Sequence, residues 1–217
     1  MRNCGTKQGC AHTVRAMNKV DYKKELKHLY TAAKEPSLVE VPQLSYLRID
    51  GAGDPNSSRS YKEAVEALFS LAYTLKFSVK KGEAMDYVVM PLQGLWWVDD
   101  MKQFSVTRKD EWQWTLMIMQ PAMVTASLVE SCRSELARKK DLPALAQVEF
   151  AAFDEGKAAQ VLHVGPFSDE GPTIERLHRF IEAQGLKLTG KHHEIYLSDI
   201  RRAAPAKWKT IIRQPAE

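Results

Sequence analysis

The chain predicts an α+β fold: a repeated β-α-β-β unit forming two antiparallel sheets related by a pseudo-twofold, with a central ligand cleft. Three observations carry this expectation. Segments of strand period and of helical period alternate along the 217 residues. The second half repeats the order of the first. The strand-like run Lys191–Asp199 places Glu194 and Tyr196 on one face and Ile195 and Leu197 on the other, because strand side chains alternate.

The elements follow in order. Asp21–Tyr30 carries Leu26, Leu29 and Tyr30 on one side of a short amphipathic helix, which Lys34–Pro36 breaks. Strands are expected at Leu38–Val41 and Leu44–Ile49, then a turn-rich loop, Asp50–Ser58. Arg59–Tyr73 has Ala64, Val65, Leu68, Leu71 and Ala72 at helical spacing, with Ser57 and Ser58 available as caps. Strands follow around Tyr87–Met90, Leu95–Val98 and Trp112–Met119, then a helix over Pro121–Lys139 with Pro143 past its end. The second half gives strands at Val148–Phe153 and Ala158–Val164 and a turn-rich loop, Gly165–Gly171. A helix over Pro172–Gln184, closed by Gly185, leads to strands at His193–Leu197 and Trp208–Arg213.

Tyr46–Ile49 matches Val161–Val164, each followed by a Gly/Asp/Pro loop and a helix. Trp114–Pro121 matches Trp208–Pro215, and Leu95–Asp100 takes the place of Glu194–Asp199. The expected organisation is a disordered tail over 1–18 and one domain over 19–217. Within it lie a first repeat at about 37–121, a linking helix at 121–140 and a second repeat at about 146–215.

Composition narrows the function classes. The formal charge is +4, but residues 1–20 contribute Arg2, Lys7, Arg15 and Lys19 and no acid, leaving 27 basic against 27 acidic residues. A nucleic-acid binder normally concentrates basic residues on one face, and nothing in this neutral body suggests such a face, so no direct nucleic-acid partner is expected. No apolar run reaches the roughly 18 residues of a membrane span, and no secretory leader pattern is present. A cytoplasmic protein without a membrane partner is expected. The three cysteines, Cys4, Cys10 and Cys132, form no paired spacing. Cys4, Cys10 and His12 lack a fourth ligand, so neither metal nor cofactor is expected.

Glu194 is the candidate for chemistry. On a solvent-facing strand it is an ordinary exposed or Arg-paired acid; on a strand facing a pocket it is a charged centre. The repeat sets Leu95 where Glu194 stands and Trp97 where Tyr196 stands, so the same inward face is apolar in one half and acidic in the other. That asymmetry suits a flat aromatic or cationic small molecule. Alternation allows only one of Trp96 and Trp97 into a pocket; the repeat favours Trp97, and both equally fit ordinary packing. His192 and His193 point to opposite faces and cannot share a metal ion, which leaves them at the surface or in a supporting role. His163 lies off the presumed core face and is a candidate cleft residue. Glu170 precedes a helix and reads either as a helix-start carboxylate or as a second acid.

Five segments in order resemble the stand-alone GyrI-like small-molecule-binding family. They are Glu40–Pro42, Gly51–Pro55, Pro91–Trp97, Gln160–Phe167 and Gly190–Asp199, and the resemblance covers about residues 19–215. It implies a duplicated SHS2-type module similar to the effector-binding domains of multidrug-sensing regulators, which hold aromatic cations over a buried glutamate. Some stand-alone members hydrolyse the cyclopropane of DNA-alkylating toxins, and others protect cells from gyrase poisons. On this resemblance Glu194 and Tyr196 are the catalytic candidates, and Trp96, Trp97, His163, Phe167 and Glu170 the ligand-binding ones. Relatives often carry Glu where this chain has Gln93, so a second acid would have to come from Glu170.

Overall fold

The computed structural model describes residues 18–83, 85–99 and 108–217. Cys4, Cys10, His12 and the expected tail lie outside them. Eight strands form one antiparallel sheet: β2 (Ser37–Val41), β3 (Leu44–Ala52), β5 (Leu92–Trp97), β6 (Gln113–Gln120), β7 (Glu149–Phe153), β8 (Gly156–Val164), β9 (His192–Tyr196) and β10 (Lys209–Pro215). Their order is β2-β8-β10-β9-β5-β6-β3-β7. A parallel pair, β1 (Asn18–Val20) and β4 (Met85–Tyr87), stands apart.

The two sheets expected from the sequence are therefore one. The joint is the antiparallel pairing of β5 with β9, Gln93–Trp96 against His192–Ile195. Backbone hydrogen bonds close the gap where the cleft was expected.

Helix α3 (Arg59–Glu83) runs ten residues past the expected end at Tyr73, because Leu75 and Val79 continue its buried stripe. Ser58 Oγ accepts from Tyr61 N at 3.2 Å and caps its first turn. Ala64, Ala67, Leu68 and Leu71 are buried in the main core with Leu47, Ile49, Leu116 and Ile118. Helix α4 (Ala126–Lys139) packs on α3 and starts five residues later than expected, where Thr125 Oγ1 accepts from Leu128 N. Helix α5 (Gly171–Ala183) sets Leu177 and Ile181 on Ala159, Val161 and Ile212. It ends at Gly185, whose φ of 73° is the left-handed conformation that glycine adopts without steric penalty. The expected first helix is two short turns, α1 (Tyr22–Glu25) and α2 (Lys27–Tyr30). No helix among the described residues is long and apolar enough to cross a membrane.

Residues directly opposed in an antiparallel pair share a sheet face. Ile212 opposes Glu194, Glu194 opposes Gly94, and Gly94 opposes Leu116. Leu116 lies in the α3 core and Ile212 under α5, so both helices cover the same face. Glu194 lies on that face, on the strand that runs between the parts of the sheet the two helices cover.

A separate polar network fills the reverse face. Glu155 accepts from His193 Nδ1 at 2.8 Å and from Arg213 Nη1 at 3.1 Å. Arg213 also donates to Gln160 Oε1 at 2.9 Å and to the Leu29 carbonyl at 2.6 Å, tying α2 to the sheet. Burial alone would raise the Glu155 carboxyl, but His193 and Arg213 outweigh it and hold the group at about 2.

Candidate functional site

Alternation along β9 turns His192, Glu194 and Tyr196 toward the helices. Tyr196 Oη donates to Glu194 Oε2 at 2.7 Å, and His192 Nε2 lies 3.2 Å from Glu194 Oε1. Trp96, on β5, donates its indole N–H to Tyr196 Oη at 3.1 Å. Tyr61, in the first turn of α3, stacks on Trp96 with ring centroids 6.1 Å apart. Phe167 meets Tyr196 edge-on at 5.6 Å and lies 5.0 Å from Trp208, forming the rim on the α5 side.

Glu170 completes the site. It holds the N-cap position of α5 yet makes no capping hydrogen bond. Its carboxyl is buried, and Glu194 and Thr210 are the polar groups that act on it. Burial first, and the neighbouring Glu194 second, push the Glu170 carboxyl up to about 10. Burial also opposes ionisation of Glu194, but the bonds from His192, Tyr196 and Glu170 outweigh it and hold that group below its ordinary value. The two opposed shifts favour one acid beside one carboxylate. Such a pair offers a proton donor beside a proton acceptor.

Several sequence expectations are corrected by the register. Leu95 and Trp97, expected on the same inward face as Glu194, lie on the other one: Gly94 opposes Glu194, and Leu95 opposes His193. Trp96 therefore shares the Glu194 face. Trp97 lies on the reverse face, where Lys191 Nζ sits 3.1 Å from its ring centroid. The alignment of Leu95 with Glu194 sets together residues of opposite faces, and an odd slip along a strand reverses every side chain. Gln93 also points away from Glu194, toward Tyr30 and His193, so the relatives' acid at this position would not face Glu194. His163 lies on the groove face, but both ring nitrogens are engaged, Nδ1 with Thr173 and Nε2 with the Pro166 carbonyl, and it braces α5. His192 is buried against Glu194, a closer role than the sequence gave it. Tyr61 and Trp208 were not among the candidates. Trp208 had a signal in the repeat, as the counterpart of Trp114; Tyr61 had none beyond opening a helix.

A cavity of about 380 Å³ opens on the reverse face between Tyr46, Leu95, Met117 and Lys191. The sheet separates it from Glu170 and Glu194.

An antiparallel sheet with two helices on one face, holding acids among aromatic rings between them, defines a small-molecule-binding domain. Residues 34–216 match the GyrI-like small molecule binding domain, and the chain belongs to that family. A conserved protein from Listeria innocua is 40% identical, with 91% of this chain and 100% of that chain covered and a TM-score of 0.86. A hydrolase from the same organism is also 40% identical, covering 92% and 100% of the two chains with a TM-score of 0.83. The C-terminal domain of EcmrR shares the fold at 16% identity and a TM-score of 0.51, over 84% of this chain and 97% of that one. No curated protein sequence matches the chain.

Proposed function

We propose that this protein binds flat aromatic small molecules in the groove between α3 and α5 and hydrolyses those carrying a strained cyclopropane, protecting the cytoplasm from DNA-alkylating toxins. The observation that carries this reading is the Glu170–Glu194 pair set beside Tyr196 in an aromatic surround. The Listeria hydrolase adds support from outside the chain. The mirror order β8-β10-β9 against β5-β6-β3 is in keeping with a duplicated module whose two copies meet at the groove.

In this reading Glu194 takes a proton from a water, whose oxygen bonds to a cyclopropane carbon. The carbon–carbon bond breaks, and its electron pair moves to the conjugated carbonyl of the drug. Glu170 supplies the proton that the carbonyl oxygen gains. Relief of ring strain leaves a modest barrier, so one positioned base and one acid suffice. The test is incubation with a cyclopropane-bearing alkylator and mass spectrometry of the water adduct. Wild type is expected to form it and Glu194→Gln not, with binding retained; equal turnover by both would remove Glu194 from the mechanism.

A second reading is a non-catalytic sequestering module. It is favoured by one observation: Glu194 already accepts from His192, Tyr196 and Glu170, which leaves little capacity for a water. Saturable quenching of tryptophan fluorescence with no product would select it.

A further inference from the structure

Tyr46, Arg48 and Asp50 alternate along β3 with Leu47 and Ile49, which pack under α3, and so face the other way. Asp50 opposes Thr115, Thr115 opposes Leu95, and Arg48 opposes Met117. These rows floor the reverse-face cavity of about 380 Å³, with Phe153, Thr189 and Lys191 standing around it. Its size is that of a small-molecule site. Most of its charged groups are already satisfied. Glu155 is taken up by His193 and Arg213, and Arg48 donates to Glu149 Oε2 at 2.8 and 3.0 Å. Thr115 Oγ1 occupies one oxygen of Asp50, at 2.6 Å, and leaves the other open. Lys191 Nζ rests over the Trp97 ring and makes no hydrogen bond or ion pair among the described residues. Burial works against its charge, Asp50 supports it, and Arg48 opposes it. No ion pair joins Lys191 to Asp50, although both line the cavity and each feels the other's field. Asp154, exposed at the rim, adds a second acid.

A lone cation meets Lys191 and Arg48 here, and a lone anion meets Asp50 and Asp154. A molecule carrying both signs a few bonds apart complements both. We propose that this cavity is a second ligand site, taking a zwitterionic amino acid with a large apolar side chain. Its carboxylate accepts from Lys191 and its ammonium donates to the open oxygen of Asp50. Its side chain lies against Tyr46, Leu95, Met117 and Phe153, where the Met117 thioether gives an adaptable wall. The site lies across the sheet from Glu194 and does not depend on what the groove binds.

L-leucine, leucinamide and 4-methylpentanoate share a side chain and carry, in turn, both charges, the positive one alone and the negative one alone. Each is titrated by calorimetry into the full chain at about pH 6, where the amines are protonated. Leucine should bind, and each analogue should bind at least about tenfold more weakly, the worth of one charged hydrogen bond. Lys191→Met should weaken leucine about tenfold without weakening leucinamide. Asp50→Asn, which keeps an acceptor for Thr115, should weaken leucine without weakening 4-methylpentanoate. Urea midpoints check that both variants fold as wild type does. Absence of leucine binding at millimolar concentration would overturn the proposal, as would equal affinity for all three compounds. Leucine binding untouched by Lys191→Met and by Asp50→Asn would place it elsewhere on the protein and overturn the proposal as well.

Discussion

Gly94 stands directly across the β5–β9 pair from Glu194, and the side chains of Trp96 and Tyr196 close over it. A β-carbon on Gly94 would lie 2.7 Å from Trp96 Nε1 and 3.0 Å from Tyr196 Oη. The hydrogen bond that steadies Tyr196 beside the acid thus depends on the absence of a side chain two residues before Trp96.

Gly94→Ala should fold but displace the indole, the phenol or both. Overpacking of this kind costs about 1–3 kcal/mol. Thermal melts should show that loss, and affinity for flat aromatic ligands should fall in parallel. An alanine variant with unchanged stability and affinity would mean that the rings close over the strand without needing that space.

Tyr196→Phe removes one donor to Glu194 and the acceptor of the Trp96 N–H. Stability should drop by about 1 kcal/mol. On the hydrolytic reading, turnover should fall by roughly a hundredfold, the scale of losing one positioned donor. Single-turnover rates by mass spectrometry, with urea midpoints alongside, separate the two effects.

The two adjacent tryptophans should behave oppositely. Trp96→Leu removes the buried ring that holds Tyr196 beside Glu194 and should weaken aromatic ligands about tenfold, in line with the worth of an aromatic contact. Trp97→Leu removes the ring beneath Lys191 on the reverse face, and ligand affinity should stay as in wild type. Fluorescence titration of both variants decides whether the register or the repeat alignment locates the site.

Glu155 makes an acid limb of stability. Its carboxyl is held at about 2 in the folded protein against an ordinary value of 4.5, so the folded state favours the ionised form. The stability this contributes is fully present above the ordinary value and is lost as pH falls from there through about 2. Its size is on the order of 3 kcal/mol. Glu155→Gln should flatten that limb and, by leaving Arg213 buried without its carboxylate, lower stability near neutral pH by about 3–5 kcal/mol. Urea midpoints across the acid range test both.

The sheet strands were legible because β3, β8 and β10 are short runs rich in apolar residues, and the loops after β3 and β8 carry Gly, Asp and Pro. The joining of β5 to β9 was not, since strand pairing between distant segments leaves no local pattern. The same gap explains the errors at the site. Glu194 stood out as an acid in an apolar strand, but whether Trp96 or Trp97 shared its face depended on register, which only the pairing fixes. Glu170 was ambiguous in sequence because a helix-start acid and a second site acid occupy the same position. The structure separates them, for the Glu170 side chain makes no capping bond and its buried carboxyl is pushed up by burial and by Glu194.

The outermost strands bear on how a ligand gets in. β2, from the first half of the chain, closes the edge beside β8, and β7, after the linking helix, closes the edge beside β3. Each half thus grips the other with its leading strand, a clasp with the β5–β9 joint at its centre. Prising that joint apart would mean releasing the clasp, so the floor of the groove is rigid. Admission of a ligand falls to the roof, where α3 and the Phe167–Glu170 turn of α5 rest on the floor by side chains rather than by strand pairing. Expressed alone, neither half would have a complete floor, and cutting the chain after α4 should yield fragments that fold only together.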